Sequence, residues 1–219
     1  MGGIIMANIC TTTIYVEGEK ESVEKLNTLF DETMSDKNNL NDKVNDNNAW
    51  IGNLLLNKGL FPYKYDTHRA FICDYGEEND TTFYVLMESA WDEKMEAMDA
   101  VFNSVDENMK PYYFAEECAM EYYVSNDIDN KYFGDYYVDW FEEDYDLAVS
   151  SGELKRFREL IGDETFYTAK ELRWSLAKLL HDPFTKLDKL IEKINDREEY
   201  DPEKTGISLG IHKIKKVDK

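Results

Sequence analysis

FYVLMESAWDEKMEAMDAVF, residues 83–102, changes its hydrophobic period part-way along, and that change decides how the surrounding chain is folded. As far as Ser89 the run is apolar and aromatic, which suits a strand. From Trp91 onward the apolar residues fall at Met95, Met98, Val101, Phe102 and Val105, one stripe of a 3.6-residue period. That spacing predicts a helix over 91–105, with the Met and Trp stripe serving as core and not as a cofactor box. A strand feeding directly into an amphipathic helix is half of a β-α-β unit, so the flanking segments should supply its partners.

Upstream, ANICTTTIYVEG (7–18) is rich in β-branched residues and ends at Gly18, which predicts a strand. KESVEKLNTLFDETM (20–34) places Val23, Leu26, Leu29 and Phe30 on one helical face. SDKNNLNDKVNDNN (35–48) reads as an exposed polar loop, and AWIGNLLLNKG (49–59) as a short helix stopped at Gly59, with Pro62 preventing a restart. Two strand-like runs, Phe71–Tyr75 and Thr81–Ser89, flank GEEND, a hairpin signal. Downstream, PYYFAEECAMEYYV (111–124) and KYFGDYYVDW (131–140) read as aromatic strands on either side of the turn SNDIDN. The order β-α-(α)-β-β-α-β-β predicts an α+β fold: a ferredoxin-like antiparallel sheet with helices on one face and one further strand.

Beyond Leu147 the pattern becomes helical. LAVSSGELKRFRELIG, FYTAKELRWSLAKLLH and PFTKLDKLIEKIND predict three helices, followed by a Gly-broken basic tail ending IHKIKKVDK. The expected division is an acidic domain over 1–147 and a helical extension over 148–219. Leu176, Leu179, Leu180, Leu187, Leu190, Ile191 and Ile194 give the extension enough apolar stripe for an internal helix–helix core or a homodimer contact.

Three features carry a family resemblance: Trp91 opening the second helix, the Ala115-Glu116-Glu117 step, and the aromatic run YYFAEECAMEYYVSNDIDNKYFGDYY. Over roughly residues 7–145 the chain resembles the YubB-like ferredoxin-like domains carried by phages and plasmids. The resemblance implies the fold and a mobile-element origin, hence a bacterial cytoplasm as the place of action. It brings no enzyme chemistry and does not extend to the helices after 148.

The formal charge of −21 is unevenly spread. Residues 76–153 hold 22 acids against three bases, Lys94, Lys110 and Lys131, whereas residues 154–219 hold 13 acids and 15 bases. Such a field repels nucleic acid and anionic membranes and attracts basic surfaces. No apolar run reaches the 18 residues a membrane-spanning helix needs. The start MGGIIMANIC has no cationic segment of a secretory signal, and Met1 and Met6 are both candidate first residues. Cys10, Cys73 and Cys118 are far apart in apolar or strand-like contexts, as expected of free buried thiols in a reducing compartment.

Signals for chemistry are few. Zinc needs clustered ligands, which this spacing of cysteines does not offer. His68 and Cys73 are a nominal nucleophile–base pair, read as structural. His181 ends a helix, where an imidazolium would complement the carbonyl dipole. Asp127, Asp129 and Asn130 suggest a calcium loop, but Lys131 and Tyr132 occupy positions needing a ligand and a glycine, leaving a turn. No catalytic residue, cofactor or metal site is therefore expected.

What remains is DYYVDWFEEDYD (135–146), six acids interleaved with five rings and no cation. Same-face residues repeat every ~6.7 Å along a strand. Duplex DNA carries a phosphate every ~3.4 Å along each strand. Carboxylates on two adjacent elements can therefore approach phosphate spacing, and Trp and Tyr add interface anchors. The expected function is a non-enzymatic inhibitor of a host nucleic-acid-targeting defence system, such as a restriction or CRISPR nuclease. It would fill a cationic groove with an acidic nucleic-acid mimic. The expected partner-binding residues are Glu116, Glu117, Asp135, Asp139, Trp140, Glu142, Glu143, Asp144 and Asp146, facing a basic host protein and not nucleic acid or membrane. The alternative is a small-ligand or protein-binding module whose acidity serves solubility. Arg156, Arg158, Lys178 or Lys189 of the near-neutral extension could dock it on the acidic domain and hide part of the acidic block.

Overall fold

Alternation in ICTTTIYVE makes β1 (Ile9–Glu17): Cys10, Thr12, Ile14 and Val16 are fully buried, while the residues between them face the other way. In the computed structural model, which describes residues 8–34, 48–162, 165–196 and 200–218, the chain divides into two units, 1–126 and 127–218. The loop expected over 35–48 lies almost wholly outside the described residues.

In the first unit β1 is followed by α1 (Lys20–Met34), whose predicted stripe of Val23, Leu26, Leu29 and Phe30 is buried. The ring of Phe30 meets Phe83 edge-on at 5.1 Å. α2 (Ile51–Asn57) ends at Gly59, whose φ of +70° is the left-handed conformation glycine adopts without strain. Then come β2 (Ala70–Asn79), β3 (Thr82–Ala90), α3 (Met95–Val105), β4 (Lys110–Glu117) and β5 (Tyr122–Ser125). Strand order here is β2-β3-β1-β4-β5, and each neighbouring pair is antiparallel.

Three local readings are corrected. GEEND is not the turn, because Glu77 pairs with Phe83 and Asn79 with Thr82, leaving Asp80 and Thr81 to reverse the chain. β2 is the outer strand of this order, so its acids reach water while the backbone keeps pairing. PYYFAEECAMEYYV is two strands rather than one. Cys118–Met120 form a single 3-10 turn, Glu117 accepts a hydrogen bond from the Ala119 amide, and Glu121 adopts φ +53°. Trp91 is not on the helical stripe: it ends β3 at φ +79°, is 53% exposed, and α3 starts four residues later.

The second unit begins earlier than the division expected at 147/148. Asp127, fully buried, accepts hydrogen bonds from the amides of Lys131 (3.0 Å), Tyr132 (2.7 Å) and Phe133 (2.8 Å). KYFGDYYVDW therefore starts as a carboxylate-centred turn, and only β6 (Tyr136–Glu142) is strand. α4 (Tyr145–Ser150) and α5 (Glu153–Leu160) replace one predicted helix, broken where Gly152 takes φ +79°. β7 (Phe166–Tyr167), α6 (Ala169–Leu179), α7 (Leu187–Asn195), α8 (Pro202–Thr205) and β8 (Ile207–Lys213) follow.

β8, read from sequence as tail, pairs along all of β6 and buries Ile207, Leu209 and Ile211 by plain alternation. The sheet order β7-β6-β8 makes β6 central. Val138, Phe157, Leu172, Leu176, Leu190 and Ile207 are fully buried in one cluster. Truncating Phe157 to alanine there would cost ~3–5 kcal/mol. The stripe considered for a homodimer is used in this core: Leu176, Leu179, Leu190 and Ile194 are buried, and Leu180, Leu187 and Ile191 pack against them.

Candidate functional site

The acids of 135–146 make internal contacts that their composition conceals. Asp135 accepts from the Asn130 side chain (2.9 Å) and the Ala169 amide (3.1 Å). Asp139 meets His212 Nε2 at 3.1 Å across the β6–β8 pair. The hydrogen bond from His212 lowers the Asp139 carboxyl pKa below its ordinary value, outweighing the opposing effect of burial. Glu142 is held by Arg158 at 3.0 Å, the masking contact foreseen for that arginine. Asp144 caps α4 by accepting from the Leu147 amide (2.9 Å). Trp140 packs its ring on Phe157 at 4.8 Å. Glu143 and Asp146 are the members of the stretch that stand exposed without a role of this kind. Glu116 and Glu117 belong to the first unit. Glu116 lies beside the Cys118 thiol, and Glu117 is 4% exposed with one oxygen on the Ala119 amide.

The other foreseen masking cations turn elsewhere. Arg156 donates to the Lys178 and Leu179 carbonyls at the end of α6 and contacts Glu153 and His181 Nε2. Arginine donates to these carbonyls, so Arg156 supplies the helix-end cap that the sequence assigns to His181. Lys178 lies over the Trp174 ring, and Lys189 pairs with Glu192.

The three thiols are free, but only Cys10 is buried; Cys73 and Cys118 are exposed. Burial pushes the Cys10 pKa up to about 12. The His68 amide donates to Asp66, and the Cys73 thiol turns to the Phe71 carbonyl. Among the described residues no three His, Cys, Asp or Glu converge to hold a metal ion, and no helix is long and apolar enough to cross a membrane.

Sequence reasoning overlooked one end of the first unit's sheet. Ile9 pairs with Ala90 and the Trp91 amide donates to the Asn8 carbonyl, so β1 begins where β3 ends. Thr11 pairs with Glu116, so β4 and its turn end there too. Among the described residues, four of the six non-glycine residues with left-handed φ lie at this end: Arg69 (+55°), Trp91 (+79°), Lys94 (+50°) and Glu121 (+53°). Each such residue costs ~1–2 kcal/mol and persists only where its surroundings over-determine it.

Those surroundings are a polar network. The side chain of Lys94 is 3% exposed, with Nζ 2.6 Å from Asp66 and 2.9 Å from Asp92. Burial alone would lower the Lys94 pKa; the two carboxylates outweigh it and raise the value. Glu93 accepts from Tyr122 at 2.6 Å and lies 3.5 Å from the Tyr113 hydroxyl. Burial and then the Glu93 carboxylate hold both phenols well above their ordinary range. From this frame Ile9, Trp91 and Met120 project, at 59%, 53% and 62% exposure. A tryptophan set between a strand and an acidic Asp-Glu step was the available signal, and its place on the helical period concealed it.

The sheet face adjoining this end carries Thr11, Thr13 and Tyr15 of β1 opposite Glu88, Leu86 and Tyr84 of β3. Tyr15 and Tyr84 lie 5.6 Å apart. Burial raises both phenols, assisted by Glu78 at Tyr15 and by Asp74 at Tyr84. Asp74, Glu78 and Glu88 are exposed. In the second unit a cavity of about 750 Å³ between α5 and α6 is lined by Arg158, Leu160, Ile161, Tyr167, Lys170, Arg173 and Trp174, among others. Comparison with family models, with curated proteins and with solved structures gave no match.

Proposed function

We propose that this chain is a non-enzymatic binding protein, of phage or plasmid origin and ferredoxin-like in its first unit. In this reading it engages the cationic nucleic-acid groove of a host defence protein. The antiparallel order β2-β3-β1-β4, with α1 between β1 and β2 and α3 between β3 and β4, supports the ferredoxin-like assignment. The origin rests on the residue pattern around Trp91 and Ala115–Glu117. One observation carries the function: Asp74 and Glu78 stand exposed beside the Tyr15–Tyr84 pair and Glu88 further along the same strand face, in a unit with 24 acids and nine bases. We place the contact there and not on 135–146, where most carboxylates are engaged within their own unit.

The test combines charge reversal with salt. A variant carrying Asp74→Lys, Glu78→Lys and Glu88→Lys should lose its partner, a basic nucleic-acid-binding protein captured from a bacterial lysate. The wild-type complex should weaken between 0.1 M and 1 M salt, as the Debye length falls from ~10 to ~3 Å. Duplex DNA should compete with the chain for that partner. Binding that ignores both charge reversal and salt, or a partner that holds DNA and the chain together, overturns the reading.

A second reading, a small-ligand role, is favoured by the cavity beside Trp174, whose volume falls within the usual ligand range of ~300–1,000 Å³. It predicts a rise in melting temperature with an anionic aromatic compound such as a nucleotide, abolished by Arg173→Ala. A nucleotide panel without effect removes it.

A further inference from the structure

We propose that the strained end of the first unit's sheet is the docking surface for an arginine-bearing segment of the basic partner, with the Trp91 indole as its anchor. This rests on the reading above and adds to that acidic face a contact at the sheet end, to which Glu88 of β3 also belongs.

Three independent features meet there. The first is backbone strain. A bulky residue held at φ +79° is a costly choice where glycine would relax the chain, and Lys94 buried between Asp66 and Asp92 keeps it so. The second is exposed apolar area. Register brings Ile9, Trp91 and Met120 from three segments to one end, each more than half exposed. Tryptophan is the residue most enriched at binding hot spots, and a preorganised frame lowers the ordering cost of association. The third is charge. Glu88, Glu96 and Glu121 stand exposed around this end, whereas Lys94 is already neutralised by its two carboxylates and Arg69 is the exposed cation that precedes β2. An apolar indole inside a negative rim suits a guanidinium: it stacks flat on the ring while its N–H groups reach carboxylates. Lysine, a compact and strongly hydrated charge, gains less from the same site.

The test uses the full chain and two synthetic peptides, one alternating arginine with glycine and its lysine counterpart. The arginine peptide should bind more tightly and shift the Trp91 indole N–H resonance. Trp91→Gly should fold with a higher melting temperature, because glycine tolerates the backbone, yet bind the arginine peptide at least about fivefold more weakly. Phe184→Ala, at an exposed ring of the second unit, should bind as wild type. Arginine-peptide affinity unchanged in Trp91→Gly, or a wild-type Trp91 resonance that does not move, overturns the docking surface while the acidic-partner reading stands. Failure of wild type to bind either peptide at low salt overturns that reading and this inference together.

Discussion

Removing the Asp127 carboxylate is the sharpest test of how the second unit is built. The side chain is fully buried and gathers three backbone amides, Lys131 on one oxygen and Tyr132 and Phe133 on the other, at 3.0, 2.7 and 2.8 Å. A hydrogen bond to a charged group is worth ~1.5–3 kcal/mol net, so three bonds set a ceiling of ~4.5–9 kcal/mol. The turn can relax and admit water, which reduces the loss. Asp127→Ala should therefore cost ~3–5 kcal/mol, much of the ~5–15 kcal/mol typical of a whole domain. Asp127→Asn keeps one acceptor oxygen and should cost less, about 2–3 kcal/mol. Lys216 holds the same turn from outside, donating to the carbonyls of Asp127 (2.7 Å) and Phe133 (3.1 Å). Lys216→Met should therefore couple with Asp127→Ala in a double-mutant cycle instead of adding to it. Urea denaturation supplies the energies, and hydrogen exchange at residues 131–133 locates them. A loss below ~1 kcal/mol for Asp127→Ala, or unchanged protection of those amides, would refute the account.

Two further outcomes follow from the same geometry. Asp139, held by His212, has a folded pKa below its ordinary value. Its contribution is thus present above about pH 4 and lost as pH falls through the folded value. Asp139→Asn should flatten the acid limb of the stability–pH curve, by under ~1 kcal/mol because the carboxylate is 41% exposed; an unchanged limb contradicts the pair. Native alkylation at pH 8, followed by intact mass, should add two groups, at Cys73 and Cys118, and a third, at Cys10, only in urea; three fast adducts would place Cys10 at the surface.

Elements fixed by a local period were legible in the sequence. α1 spans Lys20–Met34, the whole segment whose stripe predicts a helix, and β1 follows its alternation almost to the residue. The misses share a physical cause: the deciding interaction is made by side chains distant in sequence or by backbone strain. The β4–β5 turn contains no Gly, Pro, Asn or Asp; a capping carboxylate at Glu117 and a left-handed Glu121 make it. β8 carries a clear alternation at Ile207, Leu209 and Ile211, but Gly210 and the following lysines resemble a tail until β6 is there to pair with. Of the partners of the acids in 135–146, the Leu147 amide follows from a local capping pattern at Asp144, whereas His212, Arg158 and the Ala169 amide lie on segments no local pattern connects to them. Trp91 falls on the helical period in the sequence yet projects from the end of β3, because a sequence does not display φ.

The pairing of β6 with β8 has a consequence during synthesis. Glu142 waits for Ile207 and Tyr136 for Lys213, so the central strand lacks its main neighbour while a further 65–77 residues are made. At ~5–20 residues per second that is about 3–15 s on the ribosome. YYVDWFE is aromatic, extended and central, the kind of segment that associates with its own copies when left open. Asp139 interrupts it, Asp135 precedes it, and Glu142, Glu143 and Asp144 close it, which is how charged gatekeepers keep nascent strands apart. The acids that later cap, pair and hold the finished unit first protect the strand until its partner emerges.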